Sequence, residues 1–266
     1  MRTSPTSSSD AALPPHPMKT DLILPFYKPH EGWLDHLLES VASLKQALNE
    51  RGSTLHVILA NDGSPLSCYP DEALQAIRAA ADAFTFASYD VNRGKGYCLR
   101  HAVAQTDGDF QIYTDGDFPF GWQCAAEAFD LMNSGADVVM GVRGSDYGKA
   151  LHPLRKFISK GVRRLNRFLL GMPERCLDTQ AGMKAFRGAG KQAFLDTTVD
   201  TFLFDTEFIL LAWDRGLRID TVRLTLRPGL SFSKMGWRVL FRELGHFLRI
   251  MPAHWFRKKQ RRPEQG

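Results

Sequence analysis

The chain has 266 residues, 44% of them apolar, and a formal net charge of +5. That is enough apolar material for one large domain or a domain with an appendage, and no run approaches the ~20 apolar residues a membrane-crossing helix needs. The charge is uneven. Ten Lys or Arg stand against one acidic residue, Glu243, between Arg227 and Arg262, leaving the remainder about four units negative; this excludes a broadly basic nucleic-acid binder, whose positive footprint would cover the domain itself.

Residues 1–18 are rich in Ser, Thr, Pro and Ala and lack the apolar centre of a signal peptide. They read as a disordered tail, with Met18 as a candidate alternative start. From Asp21 onward strands and helices alternate. Asp21 to Pro25 is a buried-strand pattern, followed by Leu34, Leu37, Leu38, Val41, Leu44 and Leu48 at helical spacing. Leu55 to Ala60 is the next strand, Asp71 to Ala83 a helix, Phe84 to Ser88 a strand and Gly96 to Gln105 a helix. Phe110 to Thr114 and Asp137 to Gly141 are strands separated by a helix over Trp122 to Asn133. Strands too apolar to face water, alternating with helices, predict an α/β fold: a mainly parallel sheet with helices on both faces. Cys68, Cys98, Cys124 and Cys176 show no paired metal-ligand spacing and fit reduced thiols in the cytosol.

Polar residues follow three of these strands: Tyr27, then Asp62, then Asp115 and Asp117. Open α/β sheets bind ligands at the carboxyl ends of their strands, so the topology predicts one crevice for all four. In Tyr113-Thr114-Asp115-Gly116-Asp117 a strand end delivers two carboxylates two residues apart, with Gly116 allowing a sharp turn. Such a pair suits one hard divalent cation, of which Mg²⁺ is normally shared with substrate phosphates. Neither GxGxxG after the first strand nor GxxxxGK[ST] is present, so a dinucleotide or Walker-type loop is not indicated.

Taken in order, Pro25-Phe26-Tyr27, Asn61-Asp62-Gly63-Ser64, Asn92-Arg93-Gly94-Lys95-Gly96 and Asp115-Gly116-Asp117 resemble the family 2 glycosyltransferases of GT-A fold. Asp178-Thr179-Gln180-Ala181-Gly182-Met183-Lys184-Ala185-Phe186 and Phe204-Asp205-Thr206-Glu207 are similar to the branch with dolichyl- and polyprenyl-phosphate mannosyl- and glucosyltransferases. The resemblance spans Asp21 to Lys234. It implies a GT-A domain over residues 19–234 and an inverting single displacement that moves a hexose from a nucleotide-diphosphate sugar. It also implies that Pro25, Tyr27 and Asp62 hold base and ribose, with Lys95 near the nucleotide. Asp115 would contact ribose or metal, and Asp117 would bind Mg²⁺ or Mn²⁺ on the diphosphate.

The chain departs from the pattern at Asn61, at Lys28-Pro29 and at Pro119, which stands where the branch often has Gln and cannot ligate a metal through its side chain. Arg143, after the fifth strand, is placed to face diphosphate or acceptor, or to be a solvated loop residue. The resemblance puts Arg155 near an acceptor phosphate, at the head of a basic helical stretch. Arg227, Ser233 and Lys234 resemble a loop that closes over the diphosphate and the acceptor phosphate. Asp205 is a candidate general base if the acceptor is a hydroxyl, and a sugar-orienting group if the acceptor is an already ionised phosphate; the plainer reading of Asp205 with Glu207 is an acidic pair on a helix N-terminus.

Residues 235–266 form a basic amphipathic helix and tail. Trp237, Leu240, Phe241, Leu244, Phe247 and Leu248 share one face, and Arg238, Arg242 and Arg249 another. That pattern suits an anionic membrane surface, or equally a face docked on the enzyme or a partner. The expectation is a cytoplasmic enzyme, peripheral on the cytoplasmic face of a membrane, with a polyprenyl phosphate acceptor. Two alternatives stand beside it: a family 2 transferase acting on a soluble or glycan hydroxyl, and a catalytically silent GT-A binding module.

Overall fold

The computed structural model describes residues 17–144, 176–201 and 203–227. Seven strands form one sheet: β1 (Met18–Phe26), β2 (Ser53–Asp62), β3 (Ala83–Tyr89), β4 (Phe110–Tyr113), β5 (Val138–Arg143), β6 (Lys184–Phe186) and β7 (Ile219–Leu224). Their spatial order is β3-β2-β1-β4-β6-β5-β7. Among the described residues, six α-helices pack on it: α1 (Trp33–Asn49), α2 (Asp71–Ala80), α3 (Lys95–Val103), α4 (Gln123–Asn133), α5 (Ala189–Leu195) and α6 (Phe204–Asp214).

The alternation of side chains along a strand sorts the core into two layers. Leu22 and Leu24 of β1, with Leu55, Val57 and Leu59 of β2, face α1, α2 and α4 through Leu37, Ile77 and Phe129. Ile23 of β1, with Ile58 and Ala60 of β2, faces α3, α5 and α6 through Leu99, Phe194 and Phe208. Central strands covered on both faces have no polar phase, which is why they read as continuous apolar runs. Helix α6 is buried nearly all round, from Phe204 through Ala212, so its sequence carries little amphipathic signal.

The mainly parallel sheet with helices on both faces is as the sequence predicts. One strand departs from it: the three-residue β6 runs antiparallel between β4 and β5, pairing Lys184 with Tyr113 on one side and Met140 on the other. Strand β1 already takes in Met18, which is buried against the first core layer. The expected C-terminal amphipathic helix lies outside the described residues.

Candidate active site

Because β2, β1 and β4 are parallel neighbours, Asp62, Tyr27 and the Asp115–Asp117 turn come to the same edge of the sheet. The turn is tight. Phe118 N–H donates to the Asp115 carbonyl at 2.9 Å, and Phe118 adopts a left-handed φ of 44° with its ring fully buried. A non-glycine residue in that region is strained by roughly 1–3 kcal/mol, and burial of the ring offsets it. Gly116 is required by a close approach: a Cβ there would sit 2.0 Å from the Phe26 ring. The turn leaves the Asp115 side chain 42% exposed and Asp117 open to the crevice. Desolvation within the crevice, and then the Asp115 charge, push the Asp117 carboxyl above the ordinary carboxylate value.

Lys95 opens α3 and reaches Asp115, with Nζ 2.5 Å from Oδ1. Burial would lower the Lys95 ammonium, but the charges of Asp115 and Asp205 together hold it above the usual lysine value. Its loop is seated on the segment before α6: Gly96 N–H donates to the Asp200 carbonyl at 2.8 Å, and a Cβ at Gly94 would meet that same oxygen at 2.5 Å. That segment is in turn held by Glu207, whose carboxylate accepts from the backbone N–H groups of Thr198 and Val199, each at 2.8 Å, and from the Thr198 hydroxyl. Glu207 is therefore a support for the lysine loop.

The stretch from Asp178 to Lys184 lines the other side, and the structure gives several of its residues a partner. Asp178 accepts from the Arg143 backbone N–H at 2.8 Å and from Arg143 Nε and Nη2, the latter at 2.5 Å. Arg143 thus grips the loop carrying the motif. Thr179 Oγ1 meets Thr206 Oγ1 at 2.7 Å. Gly182 lies against Asp115, where a Cβ would be 2.4 Å from Oδ2. Lys184 is fully buried and donates to the Ala181 carbonyl and to Asp205 Oδ1, at 2.5 and 2.6 Å. Burial lowers the Lys184 ammonium below the ordinary lysine value even with Asp205 opposing it.

Asp205 is buried, and its Oδ1 also accepts from the Tyr113 hydroxyl. Burial, and then the Asp205 charge, push the Tyr113 phenol well above its usual value. Two donors on Oδ1 fix the direction of the Asp205 carboxylate, a geometry suited to orienting a bound group. Tyr113, Gly182 and Lys184 were given no role by sequence reasoning. The signal available was a lysine inside a strand too short and apolar to leave it in water.

Asp62 is also tied to protein: it accepts from Tyr89 Oη at 2.6 Å, Asn92 Nδ2 at 2.8 Å and the backbone N–H groups of Arg93 and Gly94. It anchors the loop that presents Lys95. Asn61 is buried, donating to the Ser64 carbonyl and Ser88 Oγ and accepting from Ser64 N–H and Tyr69 Oη. A neutral amide here closes the turn with both donor and acceptor groups. Pro25 is half-buried, while Tyr27 is 50% exposed at the crevice rim.

Arg227 reaches the metal-type turn from the far side of the sheet. Its backbone N–H donates to the Pro119 carbonyl at 2.9 Å, Nη2 donates to the Asp117 carbonyl at 3.3 Å, and Nη1 donates to His36. Burial, then Arg227, hold the His36 imidazole below its ordinary value, consistent with a neutral acceptor. Pro119 therefore serves through its carbonyl. Arg155, Ser233 and Lys234 lie outside the described residues.

Asp115 and Asp117 offer two part-exposed carboxylates on one turn, a hard-oxygen set that fits Mg²⁺ or Mn²⁺. A second group of ligand-type atoms, from Asp21, His56 and Asp107, gathers within 4.8 Å. Asp21 and His56 lie on the earlier residues of β1 and β2, and Asp107 precedes β4, all away from the strands' carboxyl ends. There His56 Nδ1 is 2.7 Å from Asp21 Oδ1, its Nε2 is 2.9 Å from Thr85 Oγ1, and Lys19 pairs with Asp107. Asp21 and His56 are buried and paired with each other, whereas Asp115 and Asp117 open to the crevice at the carboxyl ends of the strands, so the carboxylate turn is the better cation site.

Residues 21–189 match the family model described as Glycosyl transferase family 2. The chain belongs to that family. Solved structures agree on the fold. Glucosyl-3-phosphoglycerate synthase of Mycobacterium tuberculosis superposes with a TM-score of 0.63 at 18% identity, covering 94% of this chain and 83% of that one. The same enzyme in complex with Mn²⁺, UDP-glucose and glycerol 3-phosphate gives 0.62 at 19% identity, covering 94% and 82%. Mannosyl-3-phosphoglycerate synthase of Rubrobacter xylanophilus gives 0.60 at 19% identity, covering 93% and 77%. No curated protein matches in sequence. This family 2 member therefore shares the GT-A architecture of those synthases, and no helix among its described residues is long and apolar enough to cross a membrane.

Proposed function

We propose that this family 2 glycosyltransferase moves a hexose from a nucleoside-diphosphate sugar to an acceptor that carries a phosphate. The observation that carries the reading is the convergence of Asp115, Asp117, Lys95 and Arg227 at the carboxyl edge of the sheet. Asp115 and Asp117 would hold Mg²⁺ or Mn²⁺, which when bound would supply Lewis-acid neutralisation of charge on the diphosphate leaving group. Lys95 and Arg227 flank that diphosphate, and Tyr27 offers its exposed ring to the base. Asp205, fixed by Lys184 and Tyr113, orients the sugar. Solved relatives of the same fold carrying Mn²⁺ with UDP or UDP-glucose support this assignment of donor and metal.

The engagement of Asp205 favours an acceptor whose nucleophile needs no enzymic base. A polyprenyl phosphate meets that requirement, being ionised at pH 7. The motif from Asp178 to Lys184 and the cationic sequence of residues 235–266 support it, the latter as a contact for an anionic leaflet. A second reading is favoured by the superposed structures: a small soluble acceptor bearing a phosphate, such as the phosphoglyceric acid found in one of them. Incubation with radiolabelled GDP- and UDP-hexoses and Mn²⁺ separates the two. Label in the organic phase with undecaprenyl phosphate establishes the lipid reading. A new labelled aqueous product, resolved from unreacted donor by anion-exchange chromatography and formed only with 3-phosphoglyceric acid, establishes the soluble one. Transfer to neither, with no donor raising the melting temperature, would leave a silent domain and overturn the proposal.

A further inference from the structure

Immediately around the carboxylate turn, three carboxylates, Asp115, Asp117 and Asp205, lie among three cations, Lys95, Lys184 and Arg227. Arg143 and Asp178 form a separate pair, and Asp62 and Glu207 are held by neutral donors further out. A divalent cation added alone would leave two uncompensated positive charges, and a nucleotide-sugar diphosphate carries two negative ones. The same conflict appears at the level of single atoms. Asp115 Oδ1 is taken by the Lys95 ammonium at 2.5 Å, and Oδ2 is packed against Gly182. The Lys95 side chain is only 16% exposed, so it cannot leave Asp115 for water without a large desolvation cost. It needs another anion within reach.

We propose that Lys95 is a placeholder for the divalent cation on Asp115, released only when a donor diphosphate arrives to receive it. The inference rests on the donor-site reading given above and adds an order to it. Cation and nucleoside diphosphate bind as a pair and each binds poorly alone. Lys95 passes from Asp115 to the diphosphate, so the same ammonium that blocks the cation in the free enzyme clamps the donor in the complex. Release of the diphosphate returns Lys95 to Asp115 and expels the cation with the product. Coupling of this kind is reciprocal: the factor by which the cation tightens the nucleotide equals the factor by which the nucleotide tightens the cation.

The test is Mn²⁺ binding to the full chain, read from loss of the free-ion EPR signal, with Mn²⁺ alone and with UDP, GDP or the free nucleosides. In the parent protein one of the diphosphates should tighten Mn²⁺ by about 5- to 150-fold, the usual span of coupling between sites, and the nucleosides should not. In Lys95→Met, Mn²⁺ alone should bind tighter by a similar factor, and the diphosphate should add little. Lys95→Arg, which keeps the charge, should stay weak for Mn²⁺ alone. Unchanged or weaker binding of Mn²⁺ alone to Lys95→Met overturns the proposal, as does equal tightening by Met and Arg. Should Lys95→Met not fold, the parent decides: Mn²⁺ affinity indifferent to both diphosphates overturns it. Failure of the donor-site reading looks different. In that case the parent takes up no Mn²⁺ even with either diphosphate, or Asp117→Asn takes it up as the parent does.

Discussion

Lys184 Nζ lies 2.6 Å from Asp205 Oδ1, with neither side chain open to water, beneath the turn that carries Asp115 and Asp117. Breaking such a pair leaves one buried charge uncompensated, whereas replacing both members with apolar groups is often close to neutral. Lys184→Met should therefore cost about 3–5 kcal/mol in urea unfolding, and Lys184→Met combined with Asp205→Leu should recover most of it. Additive losses in the double variant would show that the two charges do not depend on each other.

Asp205→Asn asks what the carboxylate does in turnover. With Oδ1 already receiving Tyr113 and Lys184, the amide should lower the rate by less than ~10²-fold and leave the shape of the pH–rate profile intact. A ~10²–10⁴-fold loss together with disappearance of the acidic limb would identify Asp205 as a general base and point to a hydroxyl acceptor.

For Asp117→Asn the expected loss is at least ~10²-fold in kcat, comparable with removal of one electrostatic stabiliser. The side chain is open to the crevice, so the melting temperature of the ligand-free protein should stay near that of the parent. Activity within a few-fold of the parent at saturating Mn²⁺ would take Asp117 out of the site.

Gly182 tests whether the motif loop positions Asp115. A Cβ would lie 2.4 Å from Asp115 Oδ2, and a reacting group displaced by about 1 Å can lose on the order of 10²-fold. Gly182→Ala should weaken Mn²⁺–nucleotide binding and turnover together while thermal stability changes little. Parent-like binding would mean that the carboxylate moves aside without consequence.

The acid limb of stability should report Asp82. Burial opposes ionisation there, yet the Leu55 N–H at 2.8 Å and Lys45 at 2.9 Å hold the carboxyl below its ordinary value. A lowered folded-state pKa means stabilisation that is present above the unfolded value near 3.9 and lost as pH falls through the folded one. Asp82→Asn should be less stable than the parent at pH 7, and the two should converge once the pH has fallen through the lowered folded-state value. A gap that persists at low pH would assign the effect to packing.

Much of this architecture was legible in the residues. Continuous apolar strands alternating with helices implied a doubly covered parallel sheet, and because parallel strands share one carboxyl edge, Tyr27, Asp62 and the Asp115–Asp117 turn had to meet there. That inference needs only strand direction. The order of the motifs was enough to suggest the family, since each sits at a strand end whose spacing the fold constrains.

Partnership was decided only in three dimensions. The sequence places Asp62 and Arg143 at strand ends, but their protein partners are visible only in the fold: the first accepts from the Lys95 loop and the second pairs with Asp178, because a charged group brought beside a matching donor or acceptor is satisfied by it. Strand β6 is three residues long, too short for a period to show, and its antiparallel insertion between β4 and β5 is what carries Lys184 under Asp205. Sequence determines which charges are available along the chain; the pairing of Lys95 with Asp115 and of Lys184 with Asp205 depends on residues 20 and 21 positions apart being folded onto one edge, where burial makes each charge require the other.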